Sequence, residues 1–264
     1  MTLAPARQPA VRLALAARSM AGLGVMVLAW DLALYMSGAP LLPRPWHVVL
    51  GMAELLTRGV LLKHVAASLF RVTWGFLLAV AVAVPLGFLL GRNQRVGKAL
   101  APLIHLLRPI SPLAWIPIAI LWLGVGDPPA IFIIFLASTP PLALAAMNAA
   151  RNVPQVYVHA GRNFGLGPRE LFLRVLLPAS VPELLVGLRL TLGIAWLVVV
   201  AAEMIAVNSG LGFLIVDSRN AGNRYDLVVA GMVLIGVTGL LLDRAVVRLA
   251  RGYLRGRDMV GDAS

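Results

Sequence analysis

The chain has 264 residues, of which 60% are hydrophobic and 13% are charged, and its mean hydropathy is +0.88. Ordinary soluble domains carry about 25% charged residues, so this composition excludes a soluble domain and indicates an integral membrane protein. The net charge of +12 favours anionic lipid headgroups over nucleic acid as partners, because the basic residues stand between apolar segments without interleaved stacking aromatics. The absence of cysteine excludes disulfides and thiolate metal sites.

Six segments are apolar enough to be predicted as membrane-spanning helices, which need about 20 mostly apolar residues. In chain order they cover residues 20–36, 72–91, 100–124, 128–150, 181–205 and 227–242. The first follows three arginines, but no small-x-small cleavage site comes after its apolar centre, so we predict an uncleaved helix rather than a signal peptide. Between the first two spans, "WHVVLGMAELLTRGVLLKHVAASLF" predicts an amphipathic helix lying at the membrane interface.

The distribution of Lys and Arg predicts the orientation of these spans. With the N-terminus inside, fifteen of the 23 Lys and Arg residues fall in inner segments and six in outer segments, while Arg108 and Arg189 lie within spans. Both termini are therefore predicted to be cytoplasmic. Residues 151–180 then form the longest cytoplasmic loop.

That loop contains the sequence "HAGRNFGLGPRELFLRVLLPAS", which is polar compared with its surroundings. An amphipathic helical pattern is broken by Gly165 and Gly167, which can end a helix, and Pro168 can start the next one. A second amphipathic turn follows, which Pro178 is expected to stop. The sequence predicts two short helices joined by a tight bend, which is a compact knob rather than a floppy linker.

This segment resembles the cytoplasmic coupling segment of ABC importer permeases, whose signature is E-A-A-x(3)-G-x(9)-I-x-L-P. The nine-residue gap between Gly165 and Val175 is kept, while His159 replaces the acidic residue and Gly161 replaces the second alanine. The resemblance implies that this segment docks on an ATPase. The residues assigned to that contact are His159, Ala160, Gly161, Arg162, Asn163, Phe164, Gly165, Val175, Leu177 and Pro178.

The similarity extends over most of the chain, from about residue 64 to residue 248. The sequences at 106–126, 187–215 and 226–244 resemble the nitrate/sulfonate/taurine branch of these permeases. The resemblance implies one all-α transmembrane permease domain over residues 1–264, with six transmembrane helices in the type I (MetI-like) fold, in the bacterial cytoplasmic (inner) membrane. It also implies a second copy of the chain, an extracytoplasmic solute-binding protein, and two ATPase subunits that bind ATP and Mg²⁺, with neither catalysis nor a cofactor in this chain.

The third predicted span contains four prolines, which leave carbonyl groups without amide partners. In lipid such backbone is buried in protein or lines a watery cavity, so "RPISP" is interpreted as part of the translocation path, with a kinked packed helix as the alternative. Glu203 either binds substrate or, as we favour, pairs with a neighbouring helix or stabilises a bend. Residues 208–212 are predicted to form an outer turn. One role for this turn is to form the external gate together with the second copy of the chain. The path assignment comprises Arg108, Pro109, Ser111, Pro112, Glu203, Asn208 and Ser209.

Arg108 and Arg189 favour a small anionic solute, such as an aliphatic sulfonate (taurine among them) or nitrate, if they face inward; snorkelling to the membrane surface is the alternative. An ion-driven secondary transporter is the rival function, but the membrane acids Asp31 and Glu203 lie near span ends and no halved repeat is visible. An intramembrane enzyme would need a nucleophile–base pair or an H-E-x-x-H motif, and neither is present. The four histidines lack metal-ligand spacing, so we predict no metal site.

Overall fold

The computed structural model describes residues 9–38, 42–93, 95, 99 and 110–261. The regular structure in these ranges is entirely helical. The elements in chain order are α1 (Pro9–Ser37), α2 (Pro45–Thr57), α3 (Val60–Arg92), a 3₁₀ turn (Pro112–Trp115), α4 (Ile116–Leu123), α5 (Asp127–Arg151), α6 (Gln155–Asn163), α7 (Pro168–Leu171), a π-helical turn (Phe172–Leu176), α8 (Leu177–Ala206), α9 (Leu211–Asn220) and α10 (Tyr225–Gly261).

Five helical segments in the described part of the chain are long and apolar enough to cross a membrane. They are Met20–Ser37, Val60–Arg92, Asp127–Arg151, Pro168–Ala206 and Tyr225–Gly252. These segments coincide with the first, second, fourth, fifth and sixth predicted spans. The third predicted span, 100–124, is described continuously only from Ile110 onward, where the 3₁₀ turn and the short apolar helix α4 are found. A sixth membrane crossing therefore stays a prediction.

Local sequence explains where several helices begin. Helices α2, α5 and α7 all carry proline in their first turn, where the missing amide hydrogen removes no helical hydrogen bond and φ is already suitable. Helix α5 also has Asp127 in its first turn, where a carboxylate interacts favourably with the positive end of the helix dipole.

Close packing of α3, α5 and α8 forms the centre of the bundle. Gly75 on α3 lies against α5 so closely that an added Cβ would be 2.7 Å from the Cβ of Ile134. Gly87 on α3 and Gly187 on α8 are similarly close to the backbone or alanines of α5. Small residues allow helices to approach in lipid, where dispersion contacts rather than water exclusion hold them together. The core continues outward through α9 and α10, which pack on the same cluster.

The predicted interfacial helix between the first two spans is wrong in its second half. Helix α2 ends at Thr57, Gly59 has a φ of +68°, and α3 begins at Val60 as part of the membrane span. The left-handed glycine breaks the helix, and apolar residues after it, such as Val65, pack against the core rather than on a membrane surface. Arg71, one of the six Lys and Arg residues counted in outer segments from the sequence, consequently lies inside α3 and is 1% exposed.

The expectation that Pro178 stops the second loop helix is also wrong. The chain remains helical from Pro168 to Ala206 and passes through Pro178 near the start of α8. A π-helical turn at Phe172–Leu176 immediately precedes this proline. The wider turn changes the local hydrogen-bond pattern where the proline ring and its missing amide hydrogen would disrupt a regular α-helix.

Candidate functional site

The loop between α5 and α8 folds as the compact knob that its glycine and proline pattern predicts. Helix α6 packs on α7 and the π-helical turn through a small apolar cluster that includes Val153, Val158 and Leu171. At the base of the loop, the Asn152 side-chain amide donates a 2.7 Å hydrogen bond to Glu183 on α8. The knob is therefore attached to the bundle at α8 as well as at α5.

Gly165 makes the bend at the end of α6. Its φ is +76°, its amide donates to the carbonyl of Arg162 at 2.9 Å, and the next amide, of Leu166, donates to the carbonyl of Gly161 at 3.1 Å. This pair of hydrogen bonds with a left-handed glycine is the Schellman motif, which satisfies the last carbonyls of a helix. An L-residue at 165 would carry a backbone penalty of about 1–2 kcal/mol.

Gly161, one of the departures from the family signature, is buried against the second helix of the knob. A Cβ at this position would lie 2.6 Å from Cδ1 of Leu171, so an alanine would require the leucine side chain to move. The other departure, His159, is exposed on the outer side of α6. The two substitutions thus have different structural settings, one internal and one on the surface.

An open groove, lined by both polar and apolar atoms, runs along the knob. It has a volume of about 670 Å³, and its walls include Ala160, Gly161, Phe164, Val175 and Pro178, half of the residues assigned to ATPase docking. Arg162 and Asn163 lie on the adjacent exposed surface. Leu177, the first residue of α8, is partly buried against a neighbouring cluster that includes Phe88 and Ala146.

The knob carries exposed apolar side chains, one of them in the groove wall. Phe164 is 86% exposed and Val156 is 73% exposed, although both belong to a polar loop rather than to a span. Apolar patches of this kind on a non-membrane segment are typical of protein–protein contact surfaces. The knob therefore combines a rigid backbone with an uncovered apolar face.

A second cluster of functional side chains lies at the opposite end of α8, around the turn that connects α8 to α9. Arg71 of α3 donates from Nη1 to Oε1 of Glu203 at 2.7 Å and to the backbone carbonyl of Ser209 at 2.7 Å. Its Nε donates to Oδ1 of Asp127 at 2.8 Å, and its Nη2 donates to the Ser209 hydroxyl. Arg71 and Glu203 are 1% and 0% exposed, so the bundle contains a fully buried and extensively hydrogen-bonded ion pair.

Two further side chains of α3 bind the backbone of the same turn. The Ser68 hydroxyl donates to Oε2 of Glu203 and accepts the amide of Leu211, both at 2.9 Å. His64 accepts the amide of Gly210 through Nδ1 at 2.9 Å. Side chains of α3 therefore bind both the Glu203 carboxylate and the backbone of the turn that follows α8.

The two glycines of "NSGLG" allow this turn to fold over the carboxylate. Gly212 donates its amide to Oε2 of Glu203 at 2.9 Å. A Cβ on Gly210 would overlap the carboxylate of Glu203, and a Cβ on Gly212 would overlap the carbonyl oxygen of Val200. The backbone can approach this closely only where no side chain intervenes.

The remaining residues assigned to the translocation path are distributed as follows. Ser111 and Pro112 stand at the start of the 3₁₀ turn, Ser111 exposed and Pro112 partly buried, and Arg108 and Pro109 lie outside the described residues. Asn208 is exposed on the turn between α8 and α9. Glu203 pairs with a neighbouring helix, as the favoured interpretation of the sequence expected, and its assignment to the path stays a prediction.

Arg189 pairs with an acid rather than facing an open path alone. Its Nε and Nη2 donate to the two carboxylate oxygens of Asp243 on α10, at 2.6 Å and 2.8 Å. Among the described residues, no group of three or more histidines and acids is arranged to hold a metal ion.

Sequence reasoning missed Arg71, Ser68, His64 and Asp127 as a group. The signal was present for Arg71 alone, because an arginine adjoining a long apolar run needs a partner if the helix begins earlier than assumed. The serine, the histidine and the aspartate carry no comparable signal, since nothing in their spacing places them beside residues 203–212.

Comparison with known proteins identifies the family of the chain. Residues 83–255 match the model of the family described as binding-protein-dependent transport system inner membrane component. A putative ABC transporter permease protein of Methanocaldococcus jannaschii is 40% identical over 240 residues, covering 89% of this chain and 90% of the relative. The taurine transport system permease protein TauC of Escherichia coli (strain K12) is 36% identical over 231 residues, covering 84% and 82%.

The fold is also found among solved structures. A chain of the MetNI methionine ABC transporter in an inward-facing conformation superposes with a TM-score of 0.66, covering 76% of this chain and 97% of that one. The sequence identity is 21%, so this likeness concerns the fold alone. It agrees with the all-helical MetI-like architecture expected from the sequence.

Proposed function

The chain belongs to the family of binding-protein-dependent transport system inner membrane components, and on that premise we propose that a pair of these chains forms the solute path of an ATP-driven importer. The chain is the permease subunit of an ABC transporter. Two ATPase subunits, which hold ATP and Mg²⁺, bind the cytoplasmic side, and a solute-binding protein delivers the solute to the extracytoplasmic side. The assembly resides in the bacterial cytoplasmic membrane.

The observation that carries this proposal is the knob between α5 and α8. A nucleotide-driven motion can enter a membrane domain only through a rigid contact. The Schellman bend at Gly165 and the packing of Gly161 on Leu171 supply rigidity, and Phe164 at 86% exposure supplies an uncovered apolar contact. These are the properties expected of a docking surface for an ATPase.

The proposed topology has six spans with both termini in the cytoplasm. It is supported by the excess of Lys and Arg in the inner segments and by five apolar helical segments in the described ranges. In this orientation the knob and the long basic end of α10 face the cytoplasm. The Arg71–Glu203 cluster faces outward.

The proposed solute is a small anion. The first candidates are nitrate and aliphatic sulfonates, of which taurine is one. The relative named for taurine transport supports a sulfonate. The direct test is ATP hydrolysis by the reconstituted complex with its binding protein, measured with taurine, with an alkanesulfonate and with nitrate. The solute transported by the complex is expected to stimulate hydrolysis, and equal hydrolysis with and without every anion would contradict the solute class.

Gly165→Trp tests the docking role of the knob. Position 165 has open space around it, so the indole would project from the surface and obstruct the contact with the ATPase. We expect the variant to insert in the membrane and to lose the coupling of ATP hydrolysis to transport. Normal transport by Gly165→Trp would show that the knob is not the docking site.

Gly59→Trp is the matched control for this test. Gly59 also has a positive φ, +68° against +76°, and also has nothing within 4 Å of an added Cβ. It therefore experiences the same backbone strain and the same added bulk at a site far along the chain from the knob.

An ion-driven transporter, the rival function, would transport without the ATPase subunits, so omitting them from the same reconstitution separates the two functions.

A further inference from the structure

A single helical run joins the knob to the outer turn. Residues Pro168–Ala206 are helical throughout, which at 1.5 Å per residue is a length of about 58 Å. The first turns of this run pack under α6 through Leu171 and Val175. Glu203 lies three residues before its other end. If this run moves as a rigid body, a displacement of the knob reaches the carboxylate of Glu203.

The contacts of Arg71 connect that carboxylate to the turn. One planar guanidinium binds Glu203 at the end of α8, Asp127 at the start of α5, and both the carbonyl and the hydroxyl of Ser209 in the turn. A guanidinium presents its donors in a fixed fork, so these groups keep their relative positions. Their sequence separations from Arg71, up to 138 residues, show that the contact links distant parts of the chain.

Stability alone is a poor explanation for this ion pair. Removing two charges from water is costly, and well-packed apolar residues in place of a buried ion pair are often as stable or more stable. What an apolar replacement cannot do is fix the backbone of a short polar turn to a helix end by directed hydrogen bonds. The side chains of Arg71 and Ser68 do this at Ser209 and Leu211.

We propose that Arg71 of α3 is a positioning residue that holds the outer turn, which in the structure comprises residues 207–210, against Glu203 at the end of α8, so that the turn and the cytoplasmic knob move as one body during transport. This inference rests on the proposed docking of the ATPase at the knob. The outer turn then changes position with the nucleotide state of the ATPase. Exposure of Asn208 on that turn makes the change measurable from outside.

The test uses the complete complex of permease, ATPase and binding protein in nanodiscs. The chain has no cysteine, so Asn208→Cys places one thiol on the outer turn of each permease chain of the pair, and the complex without that cysteine gives the blank. The rate of thiol modification by a membrane-impermeant maleimide is measured with and without a non-hydrolysable ATP analogue. In the otherwise unchanged complex the nucleotide is expected to change this rate.

Arg71→Lys keeps the positive charge but replaces the fork by a single nitrogen, which cannot hold Glu203, Asp127 and Ser209 in place together. We expect the modification rate at Asn208→Cys to become independent of nucleotide. Transport per ATP hydrolysed should fall, because the nucleotide-driven motion would no longer reach the outer turn. Hydrolysis without binding protein should be unchanged, which a general loss of structure would not produce.

Ser68→Ala provides a second variant that keeps the ion pair and releases the amide of Leu211. It is expected to reduce the nucleotide dependence in the same direction, and it carries the test if Arg71→Lys does not assemble. Nucleotide dependence and coupling equal to the parent in either assembled variant would overturn the proposal. Gly165→Trp distinguishes failure of the proposed docking site from failure of the role of Arg71. If Gly165→Trp transports normally, the docking site is wrong. If Gly165→Trp uncouples transport but the Arg71 and Ser68 variants do not, the role of Arg71 is wrong.

Discussion

Replacing Gly210 with alanine should open the buried cluster at the outer turn. A Cβ at this position would overlap the carboxylate of Glu203, and the carboxylate cannot move without leaving Arg71 and Ser68. The expected result is a permease that is less stable to heat than a variant with the same backbone strain and no overlap. Gly222→Ala is that control, because Gly222 has a φ of +125° against +107° at Gly210 and has nothing within 4 Å of an added Cβ.

The magnitude follows from the difference between the two variants. The positive φ costs each of them about 1–3 kcal/mol, which largely cancels in the comparison. Gly210→Ala additionally breaks a fully buried ion pair, which costs about 3–5 kcal/mol. For a chain of this size, 1 kcal/mol corresponds to a change in thermal midpoint of about 2–4 °C. Gly210→Ala should therefore melt about 6–20 °C below Gly222→Ala.

The assay is the loss of monodisperse protein on size-exclusion chromatography after heating the detergent-solubilised permease through a series of temperatures. The wild-type chain and both variants are measured at the same protein concentration and in the same detergent. Self-association and detergent binding both act on the folded state and shift the midpoint. Equal midpoints for Gly210→Ala and Gly222→Ala would refute the reasoning, since they would show that the Glu203 carboxylate is not packed beneath residue 210.

The remaining predictions concern one contact surface and one titrating pair. Phe164→Ala should leave the thermal midpoint of the permease nearly unchanged, because the side chain is 86% exposed, but should weaken binding of the ATPase by about 10- to 100-fold in a binding titration. The control Leu173→Ala changes a residue that is exposed on the same knob but outside the groove, and it should not weaken binding. Equal affinities of the two variants for the ATPase would contradict the docking surface. The hydrogen bond from Arg224 lowers the pKa of Glu54 below its ordinary 4.5. Glu54 therefore contributes stability above pH 4.5 that is lost as the pH falls through its lower folded pKa. The thermal midpoints of wild type and Glu54→Gln should differ at pH 7 and converge once the pH is below the folded pKa of Glu54; a difference independent of pH would contradict this.

Local sequence was sufficient for the knob. The helix end at Gly165, the bend, and the second helix beginning at Pro168 were all predictable, because each depends on the backbone preference of one residue and on hydrogen bonds within five positions. The same local reasoning failed at Pro178. Whether a proline ends a helix depends on how the neighbouring turn adjusts, and here a π-helical turn accommodates it.

Packing decided the length of the second span. The hydropathy of residues 72–91 was enough to predict a crossing, but α3 begins at Val60, and nothing in the hydropathy marks that start. The apolar side chains of its first turns contact residues of α8 to α10 within one cluster. The sequence of one segment does not show whether its apolar side chains contact other helices or a membrane surface.

The sequence by itself determined that this chain is a membrane protein, where five of its helical spans lie, and where its knob bends, because apolar composition and glycine or proline backbone preferences act locally. Only the tertiary structure decided the environment of Arg71 and Glu203. These residues are 132 positions apart, and a buried ion pair forms only when α3 and α8 pack side by side and the outer turn folds over the carboxylate. No composition or spacing encodes that proximity, since it is the sum of contacts along the whole helix interface.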